Sequence, residues 1–404
     1  MQFKDVIGQA DVKEQLVQMV QHNRLSHALL FLGKEGSGGL SLAMAFAQYI
    51  VCEKVNGKNL AETGPSLFGE PEPTTNNQQP TINDSCGVCP ACTKAQKLIH
   101  PDIHFSFPVI TKKSGEKPIS TDFISEWREF VLLNPYGNVY DWLQFIKAEN
   151  KQGNITANEC NDIIRKLNLK SFESEYKILI MWMPEFLGKE GNKLLKLVEE
   201  PPPNTLFIFV AENETLILPT ILSRTQLVKI PSLTDMEVEV ALELRAGVKI
   251  EKASQIAILS EGNYREAIQL LQNAESDWNS LLREWLNAII KTGPAAQVKW
   301  IEDISKEGRE KQKQFLKYFI HLLEQAIRLR VIEQPDDQQS TNNETDFALR
   351  LNKLCSISQQ DAIISELDKA SYYIERNANS KMLFHALSIR LYHIISNNSL
   401  ILVN

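Results

Sequence analysis

Short apolar runs alternate with helix-like stretches over the first half of the chain. The runs have the length and composition of buried strands, and apolar residues recur with helical spacing between them. Strands are predicted at 29–32, 176–183, 206–211 and 227–230, and helices at 6–21, 40–52, 157–169, 189–199 and 219–224. Strands that alternate with helices are typical of a parallel sheet. Residues 1–230 are therefore predicted to be an α/β domain with a parallel sheet.

From Pro231 onward the chain carries only helical patterns. Short helices predict a small helical domain over 231–276, and longer amphipathic helices predict an all-α bundle over 277–404. The bundle helices are expected at 278–291, 310–331, 347–353, 358–376 and 380–396. Gly293-Pro294 and the polar stretch 336–345 are expected to break the helical pattern.

Two segments interrupt the α/β pattern. Residues 53–85 are rich in proline, glycine, asparagine and glutamine, which indicates a loop. Residues 105–150 are rich in aromatic side chains and contain the turn signal Asn134-Pro135-Tyr136-Gly137. We interpret this segment as an inserted subdomain that its aromatic residues pack together. The alternative is a surface on which nucleic-acid bases stack.

Composition and charge narrow the class of protein. The 404 residues are 43% hydrophobic and 23% charged, which is ordinary for a globular protein, and the net charge is −7. An acidic chain is a poor candidate for a protein that coats nucleic acid by itself, although a local basic face stays possible. The first residues show no signal pattern, and no apolar run approaches the roughly 18 residues of a membrane span. We expect a cytoplasmic protein with no membrane partner.

A glycine-rich turn follows the first predicted strand and opens a helix, which is the setting of a phosphate-binding P-loop. A working P-loop reads G-x-x-x-x-G-K-[ST]. With Gly33 and Gly38 aligned to its glycines, Gly39 stands at the lysine and Leu40 at the hydroxyl, while Ser41 is one residue late. The turn is thus a damaged ATPase site, a chance glycine run or the site of a non-hydrolysing relative. Its candidate phosphate-binding residues are Gly33, Gly36, Gly38 and Gly39.

Three closely spaced cysteines indicate a metal site. Cys86, Cys89 and Cys92 form two Cys-x₂-Cys steps, a spacing that suits tetrahedral Zn²⁺. Cys52 is the preferred fourth ligand, and His100 and His104 are the alternatives. Four thiolates leave no open coordination position, so the zinc is expected to be structural. The competing interpretation is a set of reduced surface thiols.

Cys160 and Cys355 are expected to be buried thiols outside any metal site.

Several further motifs resemble the subunits of bacterial clamp loaders, which are AAA+ proteins. They are the segments 3–9, 24–28, 195–202, 218–224 and 262–267, which include Glu199-Glu200-Pro201-Pro202 and Ser223-Arg224. The resemblance covers about 1–52, 86–104 and 155–275. It implies an AAA+ core over 1–230 with a zinc module (52–92), a lid over 231–276 and an oligomerisation collar over 277–404. In the family's zinc module the gap after the first cysteine is much shorter.

The resemblance also identifies the second half of the ATPase site. Active relatives end the next strand with two acids, and Trp182 and Met183 stand at those positions, with Glu185 as a weak substitute. The chain thus lacks the lysine, the hydroxyl and both acids that phosphoryl transfer requires. It resembles the family members that have lost ATPase residues, so we expect no hydrolysis and no bound ATP. Anion binding by the backbone N–H groups of the turn stays open, and the alternative function is an active P-loop ATPase motor subunit.

Two arginines take their expected roles from the resemblance. Arg224 stands where the family's arginine finger reaches the γ-phosphate held by a neighbouring subunit, although Thr225 replaces the usual cysteine after it. Arg265 stands at the sensor-2 position, where a chain without nucleotide would use it for a contact between lid and core. For both residues the alternative is an ordinary structural arginine.

The expected partners are those of a clamp-loader subunit. They are the other loader subunits in a hetero-oligomeric ring and, through that complex, the sliding clamp and primer–template DNA. Another P-loop NTPase is disfavoured by the missing catalytic groups. A zinc-bearing DNA-binding protein that acts alone is disfavoured by the acidic net charge and the lack of a dense basic stripe.

Overall fold

A computed structural model of the chain describes residues 1–56, 83–111, 117–148, 151–272, 278–331, 343–375 and 378–397. The chain divides into two compact units between Gln269 and Leu270. Most of the predicted loop 53–85 and of the polar stretch 336–345 lies outside the described residues. Among the described residues, no helix has both the length and the apolar character needed to cross a membrane.

The first unit is built on a five-stranded parallel sheet. Its strands are β1 (Ala28–Gly33), β2 (Ile103–Ser106), β3 (Lys177–Trp182), β4 (Thr205–Ala211) and β5 (Gln226–Ile230). They are ordered β2-β3-β4-β1-β5, with Leu30 opposite Phe209 on one side and Leu227 on the other. Four strands were predicted from their apolar runs. The edge strand β2 was not, and the segment predicted as an insertion from residue 105 begins inside it.

Eleven α-helices in this unit are described by the structure. They are α1 (Ala10–Gln21), α2 (Gly39–Val51), α3 (Pro90–Gln96), α4 (Ile124–Leu133), α5 (Val139–Phe145), α6 (Ala157–Leu167), α7 (Leu195–Glu199), α8 (Pro219–Leu222), α9 (Asp235–Ala246), α10 (Ile250–Ser260) and α11 (Tyr264–Gln272), which crosses the division. Short 3₁₀ segments lie at Phe3–Asp5, Ser120–Phe123, Pro184–Leu194 and Glu214–Leu216.

The sheet is covered on both faces because successive side chains of a strand point in opposite directions. One face, with Phe31 and Ile180, packs against α1, α2 and the aromatic-rich segment. The other face, with Leu30 and Leu179, packs against α6 and α7. The helices α9–α11 form the lid, and α9, α10 and most of α11 belong to the same unit as the sheet. This is the P-loop AAA+ architecture that the sequence predicts.

The aromatic-rich segment, which we continue to call the inserted subdomain, packs in the same core as one face of the sheet. Phe107 stacks on Trp127 with ring centroids 4.1 Å apart, and Trp142 meets both rings edge-on. Trp127 and Trp142 are fully buried, and Trp142 Nε1 donates to the Pro108 carbonyl at 2.8 Å. These buried rings serve the core and are not free to stack on bases.

The second unit is all-α. Its helices are α12 (Trp278–Asn287), α13 (Pro294–Ile304), α14 (Arg309–Val331), α15 (Asn343–Leu354), α16 (Ile357–Glu375) and α17 (Ser380–Asn397), with a π-helical turn at Ala288–Thr292. Trp285 stacks on Trp300 at 4.8 Å and donates to Ser388 Oγ at 2.9 Å. Helix α13 was not predicted, because Gly293-Pro294 reads as a break although Pro294 is the first residue of that helix.

Candidate functional site

The glycine-rich turn lies at the carboxyl end of β1, where ligands of open α/β sheets bind. Gly36 and Gly38 have φ values of 73° and 91°, a backbone region that favours glycine, and Gly38 caps the first turn of α2. A Cβ on Gly33 would lie 2.8 Å from Ile230 Cβ, so the turn also passes close to β5. The four candidate glycines therefore form the strand–turn–helix expected of a P-loop.

The positions that would carry P-loop chemistry are used for packing. A Cβ on Gly39 would lie 3.2 Å from Val210 Cγ1, and Leu40 is buried. Ser41 Oγ donates to the Pro135 carbonyl at 2.8 Å, so it is committed to the inserted subdomain. No cation and no free hydroxyl stand at the two positions where phosphate and Mg²⁺ would need them.

The end of β3 is also a packing element. Trp182 is 3% exposed, and its ring lies 5.2 Å from Trp127 and 6.3 Å from Phe130, centroid to centroid. Glu185 Oε1 accepts backbone N–H groups of Glu212 at 2.7 Å and Asn213 at 2.9 Å. Burial raises the pKa of the Glu185 carboxyl. Glu185 thus fixes the loop after β4.

Residues of the inserted subdomain line the space over the turn. Tyr136 Cε1 lies 2.8 Å from where a Cβ on Gly38 would be, and its hydroxyl accepts the Ile7 N–H at 2.8 Å. The cavity that remains has a volume of about 30 Å³, which holds about one or two water molecules. The sequence showed the turn around Tyr136 but gave no signal that it meets the P-loop.

Arg265 is buried between the turn and the inserted subdomain. Its side chain is 5% exposed. Nε and Nη2 donate to the two carboxylate oxygens of Asp141 at 2.5 and 2.7 Å, and Nη1 donates to Glu35 Oε1 at 2.9 Å. Arg265, in α11, therefore contacts both the glycine turn and the inserted subdomain. Asp141 and Glu35 were not singled out, because nothing in the sequence pairs them with Arg265.

The carboxyl group of Glu212 lines the small cavity. The pKa of Glu212 is raised to about 8, first by burial and then by Glu35 and Glu185, with Arg265 opposing the shift.

The four predicted cysteines lie together. The Sγ atoms of Cys52, Cys86, Cys89 and Cys92 are all within 4.8 Å of one another, with Cys86 and Cys92 at 3.9 Å. Tetrahedral zinc with Zn–S bonds of about 2.3 Å needs sulfur atoms roughly 3.8 Å apart, so the residues fit the ion. Cys52 ends α2, and Cys89 caps α3. The Cys92 thiol and the Cys86 N–H donate to Cys52 and lower the pKa of its thiol to about 4.

The alternative fourth ligands lie elsewhere. His100 Nδ1 accepts the Asp102 N–H at 3.2 Å, and burial lowers the pKa of His104 to about 4. Within the described part of the chain, the cysteine cluster includes neither histidine.

Arg224 lies at the surface of the first unit, just after α8. Its side chain is 33% exposed and forms an ion pair with Glu199, the first acid of the Glu-Glu-Pro-Pro motif. Nη1 donates to the Thr220 carbonyl at 2.7 Å and to Ser223 Oγ at 3.0 Å. Its neighbours thus orient the guanidinium while part of it stays accessible.

The sheet order, the glycine turn and the helical lid define a P-loop protein of the AAA+ class. A family model described as DNA polymerase III, delta subunit, matches residues 8–66 and 73–234, more than half of the chain. The chain therefore belongs to this family of AAA+ clamp-loader proteins.

Individual relatives agree with the family match. The chain is 24% identical over 315 residues to the DNA polymerase III subunit tau of Bacillus subtilis (strain 168), which covers 76% of the chain and 44% of that protein. It is 25% identical over 267 residues to the subunit delta' of the same organism, which covers 66% of the chain and 60% of that protein. The chain thus spans about half of the length of these relatives. A solved gamma subunit-related protein of Thermotoga maritima covers 95% of the chain at 13% identity, with a TM-score of 0.38.

Proposed function

We propose that the chain is a non-hydrolysing subunit of the DNA polymerase III clamp loader, of the delta-prime kind. In the cytoplasm it assembles with ATPase subunits that load the sliding clamp on primed DNA. The observation that carries this proposal is the small space over the P-loop, about 30 Å³, which Tyr136 helps to line. The missing groups at Gly39, Leu40, Trp182 and Met183 support it.

Nucleotide binding by the purified chain tests the absence of an ATPase site. We expect no saturable binding of a fluorescent ATP analogue at micromolar concentration, with or without Mg²⁺. Magnesium-dependent binding in that range would instead favour the alternative, an active motor subunit. Co-purification with the other loader subunits tests assembly, and a gel shift with the isolated chain tests the lone DNA-binding alternative.

We also propose that Arg224 is an arginine finger for the nucleotide bound by a neighbouring subunit. A planar, permanently charged guanidinium suits the charge that develops on a transferred phosphoryl group. Its partial exposure and the hydrogen bonds from Nη1 support this role.

The test is the ATPase rate of the reconstituted loader. An arginine finger contributes on the order of 10³-fold to the rate of its site, so Arg224→Ala should remove the share of turnover from the one site it serves. Arg165→Ala is the matched control, because Arg165 also pairs with an acid, Asp162, at the surface of the same unit. Full turnover by the Arg224→Ala complex would refute the role.

We propose a structural zinc ion at Cys52, Cys86, Cys89 and Cys92. Bound zinc would supply cross-linking of α2 to the segment before α3 and no reaction chemistry. Metal analysis under non-chelating conditions should find about one equivalent of zinc per chain. Less than half an equivalent would contradict the proposal.

A further inference from the structure

A short segment of the inserted subdomain lies between the glycine turn and the lid. We call residues 135–141 the plug. On the side of the turn, the Pro135 carbonyl accepts Ser41 Oγ, and Asn138 Nδ2 donates to Glu35 Oε2 at 2.9 Å. Tyr136 covers Gly38. The plug therefore contacts the turn where a nucleotide's phosphates would lie.

The same segment contacts the lid. Asp141 receives two hydrogen bonds from Arg265 at 2.5 and 2.7 Å, the bidentate geometry that a guanidinium makes with a carboxylate or a phosphate. The Tyr136 ring meets the Tyr264 ring edge-on at 5.0 Å. The plug thus touches both parts of the protein that a nucleotide bridges in a P-loop protein with a lid.

The charges explain why an anion is needed here. The Arg265 side chain is 5% exposed, and a guanidinium removed from water is strongly unfavourable unless it is paired. Glu35 supplies one carboxylate and Asp141 the other, and Asn263 Nδ2 of the lid also donates to Glu35 at 3.2 Å. The chain itself provides the negative charge that Arg265 requires.

We propose that the plug is a built-in ligand of the nucleotide site, with Asp141 in place of a phosphate against Arg265. The built-in ligand holds the lid on the core without nucleotide, so the lid does not respond to ATP. This role rests on one part of the proposed function, the absence of bound nucleotide, and is independent of assembly with other subunits.

Amide hydrogen exchange on the full chain tests the built-in ligand, with α9–α11 as the reporter. Asp141→Asn keeps the shape of the side chain and removes its charge. A charge-assisted bidentate pair contributes enough that its loss should speed exchange in the lid roughly ten-fold or more. The wild-type chain should show the same lid exchange with and without millimolar Mg-ATP.

Asp122→Asn is the matched control. Asp122 and Asp141 both accept the N–H of the residue three positions earlier, at 3.0 and 3.1 Å, and so both cap a helical turn of the inserted subdomain. Of the two, Asp141 also accepts hydrogen bonds from Arg265. The control should leave lid exchange within about two-fold of the wild type.

A double-mutant cycle with Arg265→Gln completes the test. If the two residues act as one contact, Asp141→Asn/Arg265→Gln should exchange no faster than either single variant. Lid exchange at the wild-type rate in Asp141→Asn, or additive effects in the double variant, would overturn the proposal of a built-in ligand. Neither result would contradict the proposed function. Lid protection that rises when ATP is added to the wild type would contradict the proposed absence of bound nucleotide and, with it, the built-in ligand. If Asp141→Asn does not fold, Arg265→Lys, which keeps the charge but not the fork, takes its place with the same expected increase.

Discussion

Helix α2 connects the glycine turn to the cysteine cluster, and the two sites differ in the functional groups that they contain. At its first residue, Gly39, the phosphate-binding groups are absent and neighbouring side chains fill the space. Directly after its last residue, Cys52 joins three other thiols in a cluster that fits a metal ion. One end has the backbone of a P-loop without its side-chain groups, and the other brings four thiols together.

The difference follows from what each site contributes to folding. A glycine turn keeps its shape through packing, because Tyr136, Val210 and Asn263 lie against its glycines. A metal site has no such substitute, since a structural ion needs all of its ligands to stabilise the fold. Without phosphate-binding side chains the turn therefore stays packed, whereas without one of its thiols the cysteine cluster would leave a destabilised loop.

The largest expected effect is at the metal end. Cys92→Ser should reduce bound zinc from about one equivalent to nearly none. Because the binding free energy of a structural zinc adds to folding, we expect the free energy of unfolding to fall by more than about 5 kcal/mol. Metal analysis and urea unfolding measure the two quantities.

Cys160→Ser serves as the control for Cys92→Ser. Cys160 is a fully buried thiol outside the cluster, with Sγ 3.6 Å from the Glu190 carbonyl. The Cys160→Ser protein should keep its full zinc content. A Cys92→Ser protein with normal zinc and stability would show that the cluster does not depend on this thiol, and the contrast between the two ends of α2 would be lost.

Placing an acid at the end of β3 should have the next largest effect on the free energy of unfolding. Trp182→Asp removes a buried ring from the aromatic core around Trp127 and puts a carboxylate there. Lost aromatic packing alone costs about 3–5 kcal/mol, and the variant should gain no ATP binding. Trp182→Phe, which keeps an aromatic ring, should cost clearly less in urea unfolding. Unchanged stability in Trp182→Asp would mean that this position is not a packing element.

Substitution of a glycine in the turn should reduce stability less, and a second glycine with similar φ allows a direct comparison. A Cβ on Gly36 would lie 1.9 Å from Asn263 Oδ1, whereas a Cβ on Gly247 has no heavy atom within 4 Å. Both glycines have positive φ, at 73° and 63°. Gly247→Ala should therefore show only backbone strain, about 1 kcal/mol, and Gly36→Ala about 2–3 kcal/mol. Equal losses in thermal or urea unfolding would mean that the lid does not pack on the turn.

The elements that the sequence predicted are those with strong local patterns. The apolar runs of β1, β3, β4 and β5, the glycine turn before α2 and the Cys-x₂-Cys steps could all be found. Strand β2 was missed because it has four residues at the sheet edge and directly precedes an aromatic-rich segment.

The contacts that close the nucleotide position could not be predicted, because they join distant parts of the chain. Tyr136 meets Ile7 across 129 residues, and Arg265 meets Asp141 across 124. Neither contact leaves a periodic pattern or a short motif. The missing lysine and acids show what the site lacks, but only the fold reveals what fills it.

The smallest expected effect comes from Glu212, at the edge of the same cavity. Its pKa is raised from 4.5 to about 8 in the folded chain, so between these pH values the folded state binds a proton that the unfolded state has lost. Stability from this group is present below about pH 4.5 and is lost as the pH rises through about 8. Glu212→Gln cannot ionise, so it should match the wild type near pH 4.5 and be more stable at pH 8.5. We expect a gain on the order of 1–2 kcal/mol, less than the full shift because Glu212 is partly exposed. Urea unfolding of both proteins at the two pH values measures the difference, in which the titration of all other groups cancels. A difference that does not change with pH would mean that Glu212 is ionised in the folded chain, and that the space beside the glycine turn is open to water.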